Sequence, residues 1–374
     1  MKFAIFFELS VPRPWSDVSE WQVYQNALEQ IRLADELGFD QVWAVEHHFL
    51  EEYSHCSAPE VFLTAAAMQT KRIRIGHGIM TILPPFNHPV RCAERAATLD
   101  LVSDGRLEFG TGRSTTWTEL GGFRADPDET KNMWDDALRA IPRIWQDEVF
   151  SWESPYWSFP PRTVVPKPYQ KPHPPLWVAV SSPETATQAA ERGIGMLGVS
   201  IGTPKDQEGR IADYRRIIKD CQPVGAFVNE QVNTLNWLYV DEDREQGREW
   251  GRKLIGTFNY LAQQTVGIKQ AYPAKAYASA GLLYSLRAQS TNQSGEAQIR
   301  DGFAIGDPDN VVDQLKMWEE MGVDCVAFLL NAAEVIPQEK VLKSLRLFAD
   351  QVMPKFERTE TTGSFKTPVH AAGN

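Results

Sequence analysis

The sequence has few cysteines, and no two of them are close together in the chain. Cys56, Cys92, Cys221 and Cys325 lie far apart among 374 residues, and no CxxC motif occurs. This spacing argues against the usual zinc motifs and against a disulfide framework, and it favours a reducing compartment. We therefore expect a cytoplasmic protein without a metal site.

Long hydrophobic runs and an excess of positive charge are also missing. No apolar stretch approaches the ~18 residues that cross a bilayer. Residues 1–12 lack the length and charge pattern of a secretory signal. Lysine and arginine total 38 against 49 aspartates and glutamates, so the formal net charge is −11. Because such a surface repels phosphates on average, we expect neither nucleic acid nor a membrane as a partner.

The sequence does contain a regular alternation of apolar strands and amphipathic helices. The first helix is predicted to begin at a capping box, Asp17 to Glu20, and to end at Gly38. Eight strand–helix units favour an α/β fold, a (β/α)8 TIM barrel, over a doubly wound sheet, and no GxGxxG motif follows a strand. The strands are predicted at residues 3–7, 42–47, 73–83, 106–110, 176–180, 195–200, 232–240 and 324–330.

Two long segments interrupt this alternation. Residues 154–175 contain eight prolines, which exclude a helix and predict a stiff, extended insertion before strand five. Residues 266–303, between strands seven and eight, are rich in Ala, Gln, Ser and Tyr, and we expect a lid there. Residues 1–356 are predicted to form a single domain, followed by a polar, disordered tail at 357–374.

Ionisable residues cluster where strand two meets its loop, at Glu46, His47 and His48. In a barrel the functional site lies at the carboxyl ends of the strands, so this cluster has three interpretations. With His55 it could bind a metal, although neighbours on a strand point to opposite faces and cannot all reach one ion. It could tie the strand end to its loop. Alternatively, one histidine could transfer protons near neutral pH, which its ordinary pKa of ~6.5 suits.

A second group of residues suits an anion. Strand four ends in GTGRS, where two glycines before Arg113 let the backbone approach a ligand. After strand five, Ser182 is a predicted helix N-cap with Pro183 at the first helical position, so free N–H groups face the barrel mouth. Such a helix end binds phosphate, and an arginine holds phosphate by paired hydrogen bonds. A capped helix beside a surface arginine is the alternative.

Six blocks of the sequence resemble the bacterial luciferase-like flavin monooxygenase family, and they occur in the family's order. They span most of residues 1–350, and the succession EHHF, HPVR and GxxR is hard to obtain by chance. The blocks are VWAVEHHF, LPPFNHPVR with Glu94 after it, DGRLEFGTGR, KPHPPLWVAVSS, QAAERG and GDPDNVVDQLKMWEEMGVD.

The resemblance implies a (β/α)8 barrel that binds reduced FMN at its strand ends and uses O2 to oxygenate a small carbonyl or heteroatom compound. A separate reductase would supply the flavin, because no nicotinamide-dinucleotide fingerprint is present. The resemblance also implies a homodimer, a non-prolyl cis peptide within residues 78–81, and His47 as the catalytic residue. The cofactor-binding residues that it implies are Met80, Thr81, Arg113, Ser181, Ser182 and Thr185.

Two departures limit what the resemblance implies. The reactive cysteine of the luciferase catalytic chain corresponds to Gly112, so thiol-dependent chemistry is not expected. The non-catalytic luciferase chain also carries EHHF, so the motif does not prove catalysis and light emission is not implied. Hydride transfer with the deazaflavin coenzyme and a non-catalytic flavin-binding partner chain stay open as alternatives. Candidates for an aromatic substrate pocket, each more often ordinary packing, are Trp117, Tyr272, Tyr277 and Tyr284.

Overall fold

Eight parallel strands close into a barrel in the computed structural model of the chain. The structure describes residues 1–114, 116–199, 202–266, 297–331 and 334–357. The strands of these residues, inside and outside the barrel, are β1 (Lys2–Phe7), β2 (Gln41–Ala44), β3 (Arg74–His77), β4 (Met80–Thr81), β5 (Leu107–Gly112), β6 (Phe150–Glu153), β7 (Ser158–Arg162), β8 (Leu176–Ala179), β9 (Gly195–Val199), β10 (Val232–Val240), β11 (Ala304–Gly306) and β12 (Cys325–Leu329). The barrel order is β1-β2-β3-β5-β8-β9-β10-β12, and β12 pairs with β1. The predicted (β/α)8 fold is confirmed.

Helices cover the outside of this barrel. In the described residues they are α1 (Ser19–Leu37), α2 (Pro59–Met68), α3 (Pro89–Val102), α4 (Trp117–Gly122), α5 (Thr130–Gln146), α6 (Pro183–Glu191), α7 (Pro204–Ile217), α8 (Arg244–Val266), α9 (Pro308–Glu320) and α10 (Gln338–Leu347). Five of them begin with proline, whose fixed φ and missing N–H suit the first helical position. No helix in these parts of the chain is both long and apolar enough to span a membrane.

The start of α1 differs from its prediction. Val18 is the N-cap, and no side chain caps the helix, so the predicted capping box is wrong. Glu20 instead accepts from His55, whose Nδ1 lies 2.7 Å from the carboxylate. The predicted end is confirmed: Gly38 adopts a φ of 91°, a left-handed conformation that glycine reaches without steric cost.

Two indoles fill the middle of the barrel. Trp43 on β2 and Trp177 on β8 are fully buried, and their ring centroids lie 5.4 Å apart. Each ring lies over a glycine of the neighbouring strand, since a Cβ on Gly76 or Gly195 would fall 2.2 or 2.4 Å from the indole. The indole N–H of Trp177 donates to Glu108 at 2.7 Å. The barrel interior is therefore packed with side chains, which leaves its mouth for chemistry.

The proline-rich insertion has no helix, as predicted, but it contributes to the antiparallel hairpin of β6 and β7. Trp152 and Trp157 stack at 5.9 Å, and both indoles donate to Asp136 of α5, at 3.2 and 2.7 Å. The hairpin is thereby attached to the barrel. Most of the predicted lid, residues 267–296, lies outside the described residues, as does the tail from residue 358. Tyr272, Tyr277 and Tyr284 belong to that undescribed part.

Candidate active site

His47 lies just beyond the carboxyl end of β2, at the barrel mouth. Its Nδ1 is 3.0 Å from Oε1 of Glu119, and its Nε2 is 3.7 Å from Oε2 of Glu8 at the end of β1. The ring meets Tyr53 edge-on, with 5.5 Å between centroids. The side chain is 26% exposed, so part of the imidazole remains accessible at the mouth.

Glu119 is a buried carboxylate with several hydrogen-bond donors. Its Oε1 also accepts from the backbone N–H of His48 at 3.0 Å. Its Oε2 accepts from the hydroxyls of Ser114 and Thr116, at 2.7 and 2.6 Å. Although burial opposes ionisation, His47 and these two hydroxyls outweigh it and lower the pKa of Glu119 to about 2. The residue is therefore ionised throughout the neutral range.

The charge of His47 follows from these neighbours. Burial disfavours the imidazolium, but the carboxylates of Glu119, Glu8 and Glu46 outweigh burial and raise the pKa of His47 to about 9. At neutral pH the ring therefore carries protons on both nitrogens. The expectation of an ordinary pKa is corrected, because the resting histidine is a proton donor.

Glu46 and His48 have a different role from His47. The two oxygens of Glu46 accept from the backbone N–H of Thr81 and the amide of Asn87, both at 2.7 Å, and His48 Nε2 lies 3.1 Å from the same carboxylate. This side of the cluster thus ties the end of β2 to β4 and its loop. Among the described residues, no three His, Cys, Asp or Glu side chains are grouped so that they could hold a metal ion.

We call His47, its neighbours Glu8 and Glu119, and the adjoining Glu46 and His48 the histidine cluster. The sequence analysis did not single out Glu8 or Glu119, although the sequence carries a signal for each. Glu8 directly follows β1, so the rule that functional residues stand at the carboxyl ends of barrel strands selects it as it selects Glu46 after β2. Glu119 follows Thr116 in a T-x-x-E pattern, and Thr116 indeed caps α4 by accepting from the backbone N–H of Glu119 at 3.3 Å. What the sequence does not show is that both carboxylates meet His47.

Met80 and Thr81 form β4 and pair in parallel with Thr111 and Gly112 of β5. Both side chains are buried. The cis peptide bonds of the described residues all precede proline, at positions 14, 166 and 172, so the expected non-prolyl cis peptide within 78–81 is wrong. Residues 78 and 79 separate β3 from β4, and only Met80 and Thr81 of this stretch pair with β5.

The end of β5 and the start of α6 carry the predicted anion-binding residues. Arg113 directly follows β5, and its Nη1 donates to the hydroxyl of Thr130 at 3.1 Å. Since Thr111 pairs with Val178, Arg113 lies beside the chain that leads from β8 into α6.

Helix α6 begins as predicted. Ser182 is its N-cap and Pro183 its first residue, and the Ser182 hydroxyl lies 3.3 Å from the backbone N and 3.0 Å from the hydroxyl of Thr185. Ser181, the preceding residue, is exposed. A guanidinium, two serine hydroxyls and the first-turn amides of a helix form the kind of donor set that a phosphate requires. The residues present therefore fit the phosphate end of a flavin nucleotide.

Two further positions bear on the chemistry. A Cβ at Gly112 would lie 2.7 Å from Cγ1 of Ile79, so a cysteine there would require Ile79 to move. Trp117 packs against Gly121 within α4, where a Cβ would approach its ring to 2.7 Å, and against the buried core. This contact favours the packing interpretation of Trp117.

A closed barrel with a charged imidazole paired to a buried carboxylate at its mouth is the arrangement of a barrel enzyme. Residues 1–325 match the family model of luciferase-like monooxygenases. The chain belongs to this family.

Relatives agree with this assignment over their whole length. The oxygenase component of the flavin-dependent trigonelline monooxygenase of Acinetobacter baylyi is 25% identical over 368 residues, which cover 96% of this chain and 97% of that protein. The crystal structure of monooxygenase RslO1 from Streptomyces bottropensis has a TM-score of 0.77 and 27% identity, and the match covers 96% of this chain and 100% of that one.

Proteins of the same fold bind two kinds of coenzyme. The oxygenating constituent of 3,6-diketocamphane monooxygenase from Pseudomonas putida, solved with FMN, has a TM-score of 0.74 at 17% identity and covers 96% of this chain and 99% of that one. The coenzyme F420-dependent tetrahydromethanopterin reductase of Methanopyrus kandleri has a TM-score of 0.67 at 20% identity and covers 95% and 99%. At these identities the likeness concerns the fold.

Proposed function

We propose that this chain is the oxygenase of a two-component flavin-dependent monooxygenase. It would take reduced FMN from a separate reductase and use O2 to oxygenate a small carbonyl or heteroatom compound. The observation that carries this proposal is the partly accessible, charged His47, held by Glu119 at a barrel mouth that also carries phosphate-type donors. When bound, the flavin supplies the oxygen chemistry, and the protein supplies placement and proton control.

Binding is assigned to the side of the mouth formed by β5 and α6. Arg113 would form paired, charge-assisted hydrogen bonds with the phosphate, and Ser181, Ser182 and Thr185 would add hydroxyl and first-turn N–H donors. Met80 and Thr81 would line the same mouth through the backbone of β4, since their side chains are buried.

Proton donation is assigned to His47. While its Nδ1–H stays on Glu119, its Nε2–H is not within hydrogen-bond distance of Glu8, at 3.7 Å, and can be given to a reactant at the mouth. General acid catalysis of this kind contributes ~10²–10⁴-fold. Glu119 is a positioning residue, because it acts through the ring orientation and charge of His47.

The decisive experiment has two stages. Purified protein is first titrated anaerobically with reduced FMN, and we expect saturable binding at one site per chain. A flavin reductase, a nicotinamide cofactor and O2 are then added with a panel of aldehydes, ketones and thioethers. We expect oxygenated product to account for most of the reduced flavin consumed. Hydrogen peroxide as the only product for every substrate in the panel would contradict the proposal.

The same purified protein also distinguishes this proposal from the two alternative functions. Tighter binding of the deazaflavin coenzyme than of FMN, with hydride transfer in the absence of O2, would identify a dehydrogenase or reductase. Oxygenation only after addition of a second, homologous chain would identify a non-catalytic partner. Light scattering of the purified chain tests the homodimer that the family resemblance implies.

A further inference from the structure

A small, partly open cavity lies behind the histidine cluster. It is bounded by the end of β1, by one face of α1 and by the chain that follows β12, and its empty volume, including space open to solvent, is about 300 Å³. Two carboxylates, Glu8 and Glu334, line it. Gln30 and Asn331 add further polar groups to the lining.

One of the two carboxylate oxygens of Glu8 accepts no hydrogen bond from the described residues. Its Oε1 accepts from the hydroxyl of Tyr53 at 3.1 Å. Its Oε2 is buried and has no hydrogen-bond partner among the described residues, although it is 3.7 Å from Nε2 of His47. An unpartnered carboxylate oxygen is costly to bury, so it requires a solvent molecule or a proton. The cavity is polar and large enough to hold water beside it.

Glu334, which also lines the cavity, has an unusual backbone conformation. Its φ is 51°, a conformation that non-glycine residues rarely adopt. Its backbone N–H donates to Asn331 at 3.1 Å, and its carboxylate accepts from the amide of Asn26 on α1 at 2.7 Å. Residues in such conformations persist where the surrounding contacts impose them, often at functional sites.

We propose that Glu334 and Glu8, joined by water in this cavity, form a proton route from solvent to Nε2 of His47. After His47 has given its Nε2 proton to a reactant, the two side chains close the 3.7 Å gap between Nε2 and Oε2 of Glu8, the O–H bond of Glu8 breaks and the N–H bond of Nε2 forms again. A cavity water then protonates Glu8 and takes a proton from Glu334, which regains one from solvent. The net result is one proton moved from solvent to the imidazole.

The charges along this route agree with it. Burial raises the pKa of Glu334 to about 7, opposed only by the hydrogen bond from Asn26. Burial also raises the pKa of Glu8, against the opposing effects of His47 and Tyr53, while Glu119 raises it slightly further. Burial therefore favours the protonated form of both carboxyl groups more than in an ordinary glutamate.

The catalytic meaning of this route rests on the proposed function, but the route itself is tested without flavin. The exchange rate of the His47 Nε2 proton with water is measured by NMR in the unliganded protein. We expect Glu334→Gln to slow exchange at least ~10-fold and to leave the pKa of His47 near its original value, since proton carriers set such rates. Glu8→Gln should also slow exchange, because an amide cannot pass a proton from water to the imidazole.

Two further variants guard against a folding artefact. Ala27→Leu fills the cavity from α1, keeps every titratable group, and should slow exchange as Glu334→Gln does. Glu339→Gln changes an exposed carboxylate on α10 that does not line the cavity, and it should leave exchange unchanged. Unchanged exchange in both Glu334→Gln and Ala27→Leu would overturn the route.

Turnover tests whether catalysis uses the route. Because Glu334 loses its proton as the pH rises through about 7, turnover of the original protein should decline across that range. Glu334→Gln should turn over more slowly below pH 7 and lack this decline. Slowed exchange with an unchanged pH profile would overturn the catalytic part of the inference. An inactive original protein would instead contradict the proposed function and leave the exchange result standing.

Discussion

The two sides of the barrel mouth differ in how deeply their polar groups are buried. On the side of β1 and β2, His47 and Glu119 already contact each other, and each has several further partners inside the protein. On the side of β5 and α6, the donors are a partly exposed arginine, an exposed serine and a helix end. The first side is organised by contacts within the protein, whereas we propose that the second binds an anion.

This difference has a physical reason. A buried charge must be paired inside the protein, because an unpaired one is expensive, so the chain itself supplies the carboxylates beside the imidazolium. We therefore propose that proton control is preorganised in the fold, whereas ligand binding uses donors at the surface of the mouth. Five predictions test this contrast.

The largest effect is expected from His47→Asn. Turnover should fall ~10²–10⁴-fold, because the proton donor at the mouth is lost, while the affinity for reduced FMN should change by no more than about twofold. Steady-state kinetics and anaerobic titration measure the two quantities. His55→Asn is the matched control, since His55 pairs with Glu20 away from this cluster, and it should keep its activity. An equal loss in affinity and in turnover would place His47 in binding.

Arg113→Ala should weaken the affinity for FMN. The Kd for FMN should rise ~10–10²-fold, in line with the loss of charge-assisted hydrogen bonds worth about 1.5–3 kcal/mol. Riboflavin lacks the phosphate, so its Kd should be the same for the original protein and the variant. Arg113→Lys keeps the charge without the paired geometry and should fall between them. A similar loss for riboflavin would show that Arg113 does not contact the phosphate.

Glu119→Gln should change the charge of His47 and its pH dependence. The pKa of His47 should fall from about 9 toward its ordinary value of 6.5, as followed by NMR titration of the ring. Glu51→Gln removes an exposed carboxylate that pairs with Arg13 and should leave that pKa in place. A pKa of His47 that stays near 9 in Glu119→Gln would mean that Glu8 and Glu46 suffice.

The same pair predicts a pH profile of stability. Because the pKa of His47 is raised in the folded state, its contribution is complete below pH 6.5 and is lost as the pH rises through about 9. Because the pKa of Glu119 is lowered, its contribution is present above pH 4.5 and is lost as the pH falls toward about 2. Urea unfolding at a series of pH values should show that Glu119→Gln loses most of the decline between pH 6.5 and 9.

The smallest effect is expected from Ser182→Ala. Loss of an N-cap hydroxyl costs about 1 kcal/mol of the free energy of unfolding. Thr203→Ala removes the cap of α7 and should cost about the same, which makes it the matched control. Only Ser182→Ala should also weaken FMN binding. Equal FMN affinities in the two variants would remove Ser182 from the phosphate contacts.

The prediction of the fold from sequence succeeded where the signal is periodic. Strand and helix periods, proline at helix starts and Gly38 at a helix end each depend on neighbours in the chain. The capping box at Asp17 failed, since the choice between capping α1 and pairing Glu20 with His55 depends on a distant loop. The expected non-prolyl cis peptide, which came from the family resemblance and not from a local pattern, is also wrong.

For the site, the sequence by itself determined which residues stand at the strand ends: His47, Arg113 and the capped start of α6. Their position follows from the local rule that strands end where apolar runs end. Only the tertiary structure decided the charge of the histidine. Glu8 and Glu119 are remote from His47 along the chain, and barrel closure brings them within 3.7 and 3.0 Å of its ring. Since electrostatic energy depends on distance in space and on burial, no reading of neighbours along the chain yields a protonated imidazole.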